Sequence, residues 1–142
     1  MNIGIIGSGG REHALCFKLS ESKKVKKIFC FPGNAGTENI AKNININLSN
    51  FEELKKIIFK NKIEMVIVGP EKPLVDGIVD FLELNKIKVF GPDRISSQLE
   101  GSKIFTKNLC KKYNIPTAKF GVFNSIQDSL FATRRGLVYS LV

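Results

Sequence analysis

The 142-residue sequence contains no tryptophan, one histidine and only three cysteines. Cys16, Cys30 and Cys110 show no C-x-x-C spacing, and three thiols cannot all pair with one another, so the pattern argues against a disulfide scaffold and a zinc knuckle. No apolar run approaches the roughly 18 residues of a membrane span, and no basic segment leads into an apolar one at the N-terminus. We therefore predict a cytoplasmic protein without a membrane partner.

Arginine is also scarce, although the chain is strongly basic. Lys plus Arg number 22 against 13 Asp plus Glu, which gives a formal charge of +9. The lysines fall mainly at predicted exposed positions, as in the run at 23–27, and no aromatic residues are interleaved with them for base stacking. This pattern favours a solvated basic surface, and we predict no nucleic-acid partner.

Short apolar runs alternate with helical patterns through the first half of the chain. The apolar runs lie at 2–6, 27–31, 63–68 and 88–90. Each ends at Gly or Pro, or just before one, and a strand–turn–helix order of this kind indicates parallel strands joined by crossover helices. The sequence predicts a doubly wound α/β sheet with helices on both faces. Within the run at 63–68, every residue of 65–68 is apolar, which suits a central strand buried on both faces.

Other segments complete the prediction for this half. Helices are expected over 12–21 and 74–85, with a third that begins after the capping residue Asn50. The alternation of Asn with apolar residues at 43–48 predicts a small edge strand.

The pattern changes after Pro92. Ser102 can cap a further helix, 118–123 reads as a strand, and Asn124 or Ser125 can start a last short helix. We predict one domain over 1–92 and the beginning of a second over 93–142, because ~50 residues lie near the lower limit for a self-sufficient core.

Ligands of such sheets bind outside the carboxyl ends of the strands. The first of these ends carries Gly7 and Gly9 of a G-x-G-x-x-G pattern, but Glu12 replaces the third glycine. The second strand lacks a terminal acid for a ribose hydroxyl, and these two departures argue against a dinucleotide. Bare amides at a helix N-terminus, with Arg11 beside them, suit a single phosphate. The alternative is a tight turn without a ligand.

Three further residues have open interpretations on their own. Glu71 follows the run at 63–68 and could accept hydrogen bonds from sugar hydroxyls, or could serve only the local helix dipole. His13 has no second ligand at metal spacing, which favours a packing role. Lys103 opens a predicted helix and by itself reads as a surface lysine. No catalytic set and no metal site are predicted.

Six motifs then follow one another in order. They are GSGGREHA at 7–14, PGNAGT at 32–37, VGPEKPLV at 68–75, FGP at 90–92, LEGSK at 99–103 and YNIPTA at 113–118. Together they resemble the N-terminal third of the phosphoribosylamine–glycine ligase family, also called glycinamide ribonucleotide synthetases, over residues 1 to about 124. The tail at 125–142 departs from the family.

The resemblance implies an ATP-dependent ligase of de novo purine biosynthesis. Such an enzyme joins glycine to 5-phosphoribosylamine through a glycyl phosphate, with Mg or Mn, and is expected here to be monomeric. Residues 1–92 would form its Rossmann-like lobe, which precedes the ATP-grasp domain. The resemblance implies that Lys103 contacts an ATP phosphate, and it implies these substrate-binding residues: Gly9, Gly10, Arg11, Glu12, Asn34, Gly36, Thr37 and Glu71.

The family's ATP lid and metal ligands have no counterpart in this sequence, so the 142-residue chain is predicted to hold the sugar phosphate and to be inactive alone. Two alternatives stay open. One is a stand-alone module that binds a sugar phosphate or nucleotide, and the other is the first lobe of a different ATP-grasp carboxylate–amine ligase.

Overall fold

A computed structural model describes residues 1–123 and Leu130. The chain divides into two compact units, Met1–Ser97 and Gln98–Val142. The strands are β1 (Asn2–Gly7), β2 (Lys27–Pro32), β3 (Lys42–Asn43), β4 (Met65–Val68) and β5 (Lys88–Phe90). The helices are α1 (Gly10–Ser20), α2 (Ala35–Glu38), α3 (Phe51–Lys60), α4 (Glu71–Val75), α5 (Ile78–Leu84), α6 (Arg94–Gly101) and α7 (Lys103–Lys112).

The five strands form one parallel sheet in the order β3-β2-β1-β4-β5. This confirms the predicted doubly wound α/β architecture. Residues 65–68 form β4, which is an inner strand paired with β1 and β5 as predicted, but it is not fully buried on both faces. Every residue of β1 from Ile3 onward is buried, whereas Met65 and Ile67 of β4 are only half-buried.

Helices cover both faces of the sheet, as predicted. On one face, α3 and α5 bury Leu54, Ile58 and Leu82 against Phe31 and Val66. On the other face, Cys16 of α1 is buried in a smaller cluster with strand residues of β1 and β2. Asn50 caps α3 as expected, since its side-chain oxygen accepts a hydrogen bond from the Glu53 amide at 3.1 Å.

The predicted edge strand at 43–48 is largely wrong. Only Lys42–Asn43 form β3, and the Ile44 amide makes one further bond to the Cys30 carbonyl at 2.8 Å. Ile46 is nevertheless buried in the core, and Leu48 packs against it. The period of two therefore reports alternate contact with the core along an extended segment, not pairing with a neighbouring strand.

The predicted helix over 74–85 is two helices. Gly77 adopts a positive φ of 94° between α4 and α5, a conformation that glycine tolerates best. Leu74, Ile78 and Leu82 are still buried together in one core cluster.

The second unit starts at Gln98, and its main described helix is α7. Ser102 caps α7, with its hydroxyl accepting a hydrogen bond from the Phe105 amide at 3.3 Å, as predicted. The strand predicted at 118–123 is wrong, because only Phe120 forms an isolated bridge there. The last short helix and most of the tail at 125–142 lie outside the described residues, and the separate-domain assignment of 93–142 stays a prediction.

Over the described part of the chain, no helix is long and apolar enough to cross a membrane.

Two of the cysteines form a buried pair between α1 and β2. The sulfur atoms of Cys16 and Cys30 lie 3.0 Å apart, and both side chains are completely buried. Burial raises the pKa of both thiols. Cys110 is a free cysteine in α7 and is only partly buried.

We expect one fast and two slow thiols when the native protein reacts with an aromatic disulfide reagent at pH 8. The thiolate is the nucleophile, and burial with a raised pKa keeps Cys16 and Cys30 in the neutral form, so Cys110 should react first. Mass spectrometry of the labelled peptides measures this order. All three should react quickly in denaturant, and rapid native labelling of Cys16 or Cys30 would contradict the packing described here.

Candidate functional site

A cleft of about 580 Å³ lies at the carboxyl ends of β1 and β4. β2 and β3 lie on one side of β1, and β4 and β5 lie on the other. The cleft is therefore at the point where the strand order reverses. Open α/β sheets bind their ligands at such a point. The cleft is lined by Gly7, Ser8, Gly9, Gly10, Arg11, Glu12, Pro32, Leu48, Ser49, Pro70, Glu71, Lys72, Pro73 and Asp76.

The turn between β1 and α1 presents peptide groups to the cleft. The amides of Gly10 and Arg11 lie in the first turn of α1, where an α-helix supplies no carbonyl partner. A Cβ atom on Gly10 would meet no atom within 4 Å, so this position faces open space. The Gly9 amide differs from the expected bare group, because it donates to the Glu12 carboxylate at 2.7 Å.

Glu12 fills the junction between the tips of β1 and β4. Its side chain is buried, with the residue only 5% exposed. A Cβ on Gly7 would lie 2.7 Å from the Glu12 carboxyl carbon, and a Cβ on Gly69 would overlap its Oε1 atom. The third glycine of the dinucleotide pattern is thus replaced by a carboxylate that needs glycines on both facing strands.

Arg11 joins the start of α1 to the end of β4 at the protein surface. Its side chain is exposed, and Nη1 donates to the Gly69 carbonyl at 2.8 Å. The remaining N–H groups of the guanidinium can still serve a ligand in the cleft, since the group carries five donors.

Asn34 contacts the turn and Gly36 contacts α1, but neither they nor Thr37 are among the residues that line the cleft. Asn34 caps α2 by accepting from the Thr37 amide at 3.0 Å, and its Nδ2 donates to the Ser8 carbonyl at 2.8 Å. A Cβ on Gly36 would lie 2.8 Å from the His13 ring, which therefore packs against this glycine.

Thr37 is completely buried. Its hydroxyl donates to the Asn34 carbonyl at 2.9 Å and accepts from the Asn34 amide at 2.8 Å. The hydroxyl also lies 2.8 Å from the side-chain oxygen of Asn43. These bonds hold the 34–37 segment in place, and that segment in turn holds the turn at 7–10.

Glu71 lies at the opening of the cleft as the exposed first residue of α4. It has no hydrogen-bond or ion-pair partner within residues 1–123. The next residue, Lys72, forms an ion pair with Asp76 at 2.8 Å. Leu48 and Ser49 also line the cleft, and neither was predicted; the period of two at 43–48 had indicated an edge strand for Leu48, and no local pattern marks Ser49.

The cleft is locally acidic within a basic chain. Its lining carries two cationic side chains, Arg11 and Lys72, and three carboxylates, so one negative charge is in excess. The described residues contain no group of three or more His, Cys, Asp or Glu side chains that could hold a metal ion. Lys103 belongs to the second unit, where it is the exposed first residue of α7.

With this geometry established, comparison with known proteins identifies the family. A family model described as the N domain of phosphoribosylglycinamide synthetase matches residues 1–100. The chain belongs to this family. The match covers all five strands and the whole lining of the cleft.

Members of the synthetase family are similar over nearly the whole chain. Phosphoribosylamine–glycine ligase of Clostridium acetobutylicum is 49% identical over 130 residues, which cover 92% of this chain and 31% of that protein. The Pasteurella multocida protein of the same name is 46% identical over 132 residues, covering 92% and 31%. The crystal structure of phosphoribosylamine–glycine ligase from Thermotoga maritima superposes with a TM-score of 0.68 at 28% identity, over 95% of this chain and 30% of that one. The chain therefore spans about a third of the length of these relatives.

Replacing Thr37 with valine should destabilise the protein by about 2–3 kcal/mol, because the buried hydroxyl has hydrogen-bond partners that would lose their bond without gaining water. Chemical unfolding followed by circular dichroism measures the change. Thr117→Val is the matched control: Thr117 is exposed, and its hydroxyl accepts a solvent-exposed hydrogen bond from Lys107 Nζ at 2.6 Å, which water can replace, so the change should cost less than about 0.5 kcal/mol. Equal losses in the two variants would contradict the supporting role of Thr37.

Proposed function

We propose that this chain is the sugar-phosphate-binding lobe of a phosphoribosylamine–glycine ligase. The parent enzyme would join glycine to 5-phosphoribosylamine at the expense of ATP, with glycyl phosphate as the intermediate, in de novo purine biosynthesis. The observation that carries this proposal is the coincidence of two facts: the family match covers residues 1–100, and the cleft at the switch point lies wholly inside that range.

The chemistry of the cleft suits a phosphorylated sugar. We propose that the amides of Gly10 and Arg11, together with the free N–H groups of Arg11, bind the phosphate. Glu71 faces the same cleft, and its carboxylate, which has no partner among the described residues, can accept hydrogen bonds from two ribose hydroxyls. Gly9, which has no side chain, lets the backbone of the turn come close to the phosphate. Asn34, Gly36 and Thr37 act indirectly, by holding that turn in position.

The nucleotide part of the reaction is assigned to other residues. We propose that the exposed Lys103 ammonium contacts an ATP phosphate, as the family motif implies. The described residues provide no ligand set for Mg²⁺ or Mn²⁺, so they do not fit a metal centre. When bound to ATP, such an ion would neutralise phosphate charge during transfer.

Binding of ribose 5-phosphate tests the proposed cleft. This compound is the substrate with a hydroxyl in place of the amine, and titration calorimetry with the 142-residue chain should detect its binding. Glu71→Gln should weaken binding about tenfold, because hydrogen bonds to a charged acceptor contribute about 1.5–3 kcal/mol. Glu83→Gln is the control, since Glu83 is exposed on α5 and does not line the cleft. If the chain does not bind ribose 5-phosphate, or if both variants lose the same affinity for it, the assignment of this cleft as the sugar-phosphate site is wrong.

The isolated chain should bind without catalysing ligation, since it spans only 31% of the ligase from Clostridium acetobutylicum. A coupled assay for ADP with ATP, glycine and freshly generated phosphoribosylamine measures this. The expected result is no glycine-dependent ADP release above the protein-free rate. Turnover by the purified chain would show that its 142 residues contain the whole catalytic apparatus.

A further inference from the structure

The Glu12 carboxylate is buried yet forms part of the cleft wall. Burying a carboxylate costs free energy unless hydrogen bonds compensate it. Here the compensation is the Gly9 amide, whose nitrogen lies 2.7 Å from Oε2, and the favourable field at the start of the 11-residue helix α1. The charge is therefore held at a defined point beside the proposed phosphate position.

The backbone around this carboxylate leaves room for it and for nothing larger. Cβ atoms added to Gly7 or Gly9 would come within 2.9 Å of Glu12 atoms, and one added to Gly69 would overlap its Oε1. Gly10, the next residue along, has no neighbour within 4 Å of such an atom. The contrast separates two functions: Gly7 and Gly9 of the turn, with Gly69 after β4, accommodate Glu12, whereas Gly10 of the turn faces the ligand space.

A carboxylate in this position competes with an anionic ligand for the helix N-terminus. It occupies the Gly9 amide that an anion would otherwise bind, and its charge opposes that of a phosphate at Gly10 and Arg11. Arg11 offsets part of this charge but is itself bonded to the Gly69 carbonyl at 2.8 Å.

We propose that Glu12 is a positioning residue that sets where the phosphate lies and limits how tightly the cleft holds anions, and that it does not contact the substrate. This inference rests on the proposed sugar-phosphate function of the cleft. It replaces the direct substrate contact that the family resemblance implied for Glu12. An internal carboxylate of this kind leaves Gly10 and Arg11 as the phosphate position and opposes the charge of any anion bound there.

Glu12→Gln tests whether the charge of Glu12 weakens phosphate binding. Glutamine keeps the shape and an oxygen acceptor for the Gly9 amide but removes the charge, so ribose 5-phosphate should bind about 3- to 10-fold more tightly, the range expected for one charge several ångströms away in a partly solvated site. Affinity for ribose, which has no phosphate, should change less than about twofold by the same reasoning. Weaker binding of both sugars would overturn the proposal, because it would indicate direct contact between Glu12 and the sugar.

A second measurement does not depend on any ligand. Hydrogen exchange followed by NMR should show the Gly9 amide protected in the native chain and in Glu12→Gln, and exposed in Glu12→Ala. Gly69→Ala should also expose it, because the added methyl group displaces the carboxylate while the charge is kept. The Gly10 amide is the internal control and should exchange quickly in all four proteins.

The two readouts separate the proposals. If the native chain binds no ribose 5-phosphate but the Gly9 amide follows the predicted order, the proposed function fails and only the hydrogen bond from the Gly9 amide to Glu12 is supported. If the Gly9 amide stays protected in both Glu12→Ala and Gly69→Ala, the positioning role is wrong whatever the sugar does.

Discussion

The meeting of β1 and β4 is the constraint on which the rest of the structure depends. β1 is hydrogen-bonded on both sides, to β2 and to β4, and the chain leaves these two neighbours in opposite directions. Their loops therefore diverge at the carboxyl edge and leave a cleft that no side chain of the core fills. The geometry of the switch point creates the space, and the residues at its edge decide what that space can hold.

Glu12 makes the strand ends into one rigid unit. In a dinucleotide-binding turn, a third glycine lets the helix approach the strand closely. Here a carboxylate occupies that position, bonds to Gly9 and packs against Gly69, and Arg11 binds the Gly69 carbonyl. Both strand tips are thus fixed by neighbouring side chains of α1. A cleft wall built in this way needs little rearrangement to bind a ligand, which reduces the conformational entropy lost on binding.

Much of the fold could be predicted from local patterns, and the failures have a physical cause. The run that forms β1, the cap at Asn50 and the glycine turns each carry their signal within a few residues. The order of the strands in the sheet carries no such local signal, because β1 and β4 are both short apolar runs with a parallel neighbour on each side. The segment at 43–48 failed for a related reason, since core contact and strand pairing produce the same period of two.

The candidate site shows the same division between local and non-local information. Gly10, Arg11 and Glu71 could be found in the sequence because they follow strands directly. The supporting role of Thr37 could not, since its partners include Asn43, six residues away in another element. The relation of Glu12 to Gly69 spans 57 positions and becomes visible only when β1 and β4 lie side by side.

The net charge of the chain illustrates why composition says little about a site in a parallel sheet. Lys27 and Lys88 begin strands, and Lys24, Lys26 and Lys62 lie in the segments just before strands. Because parallel strands all start at one edge, these exposed lysines lie at the amino edge of the sheet, opposite the cleft. The cleft itself has one carboxylate in excess. The overall charge of +9 therefore describes the surface that the protein presents to solvent. The affinity of the cleft for a phosphate depends instead on Arg11, on the first amides of α1 and on the buried charge of Glu12.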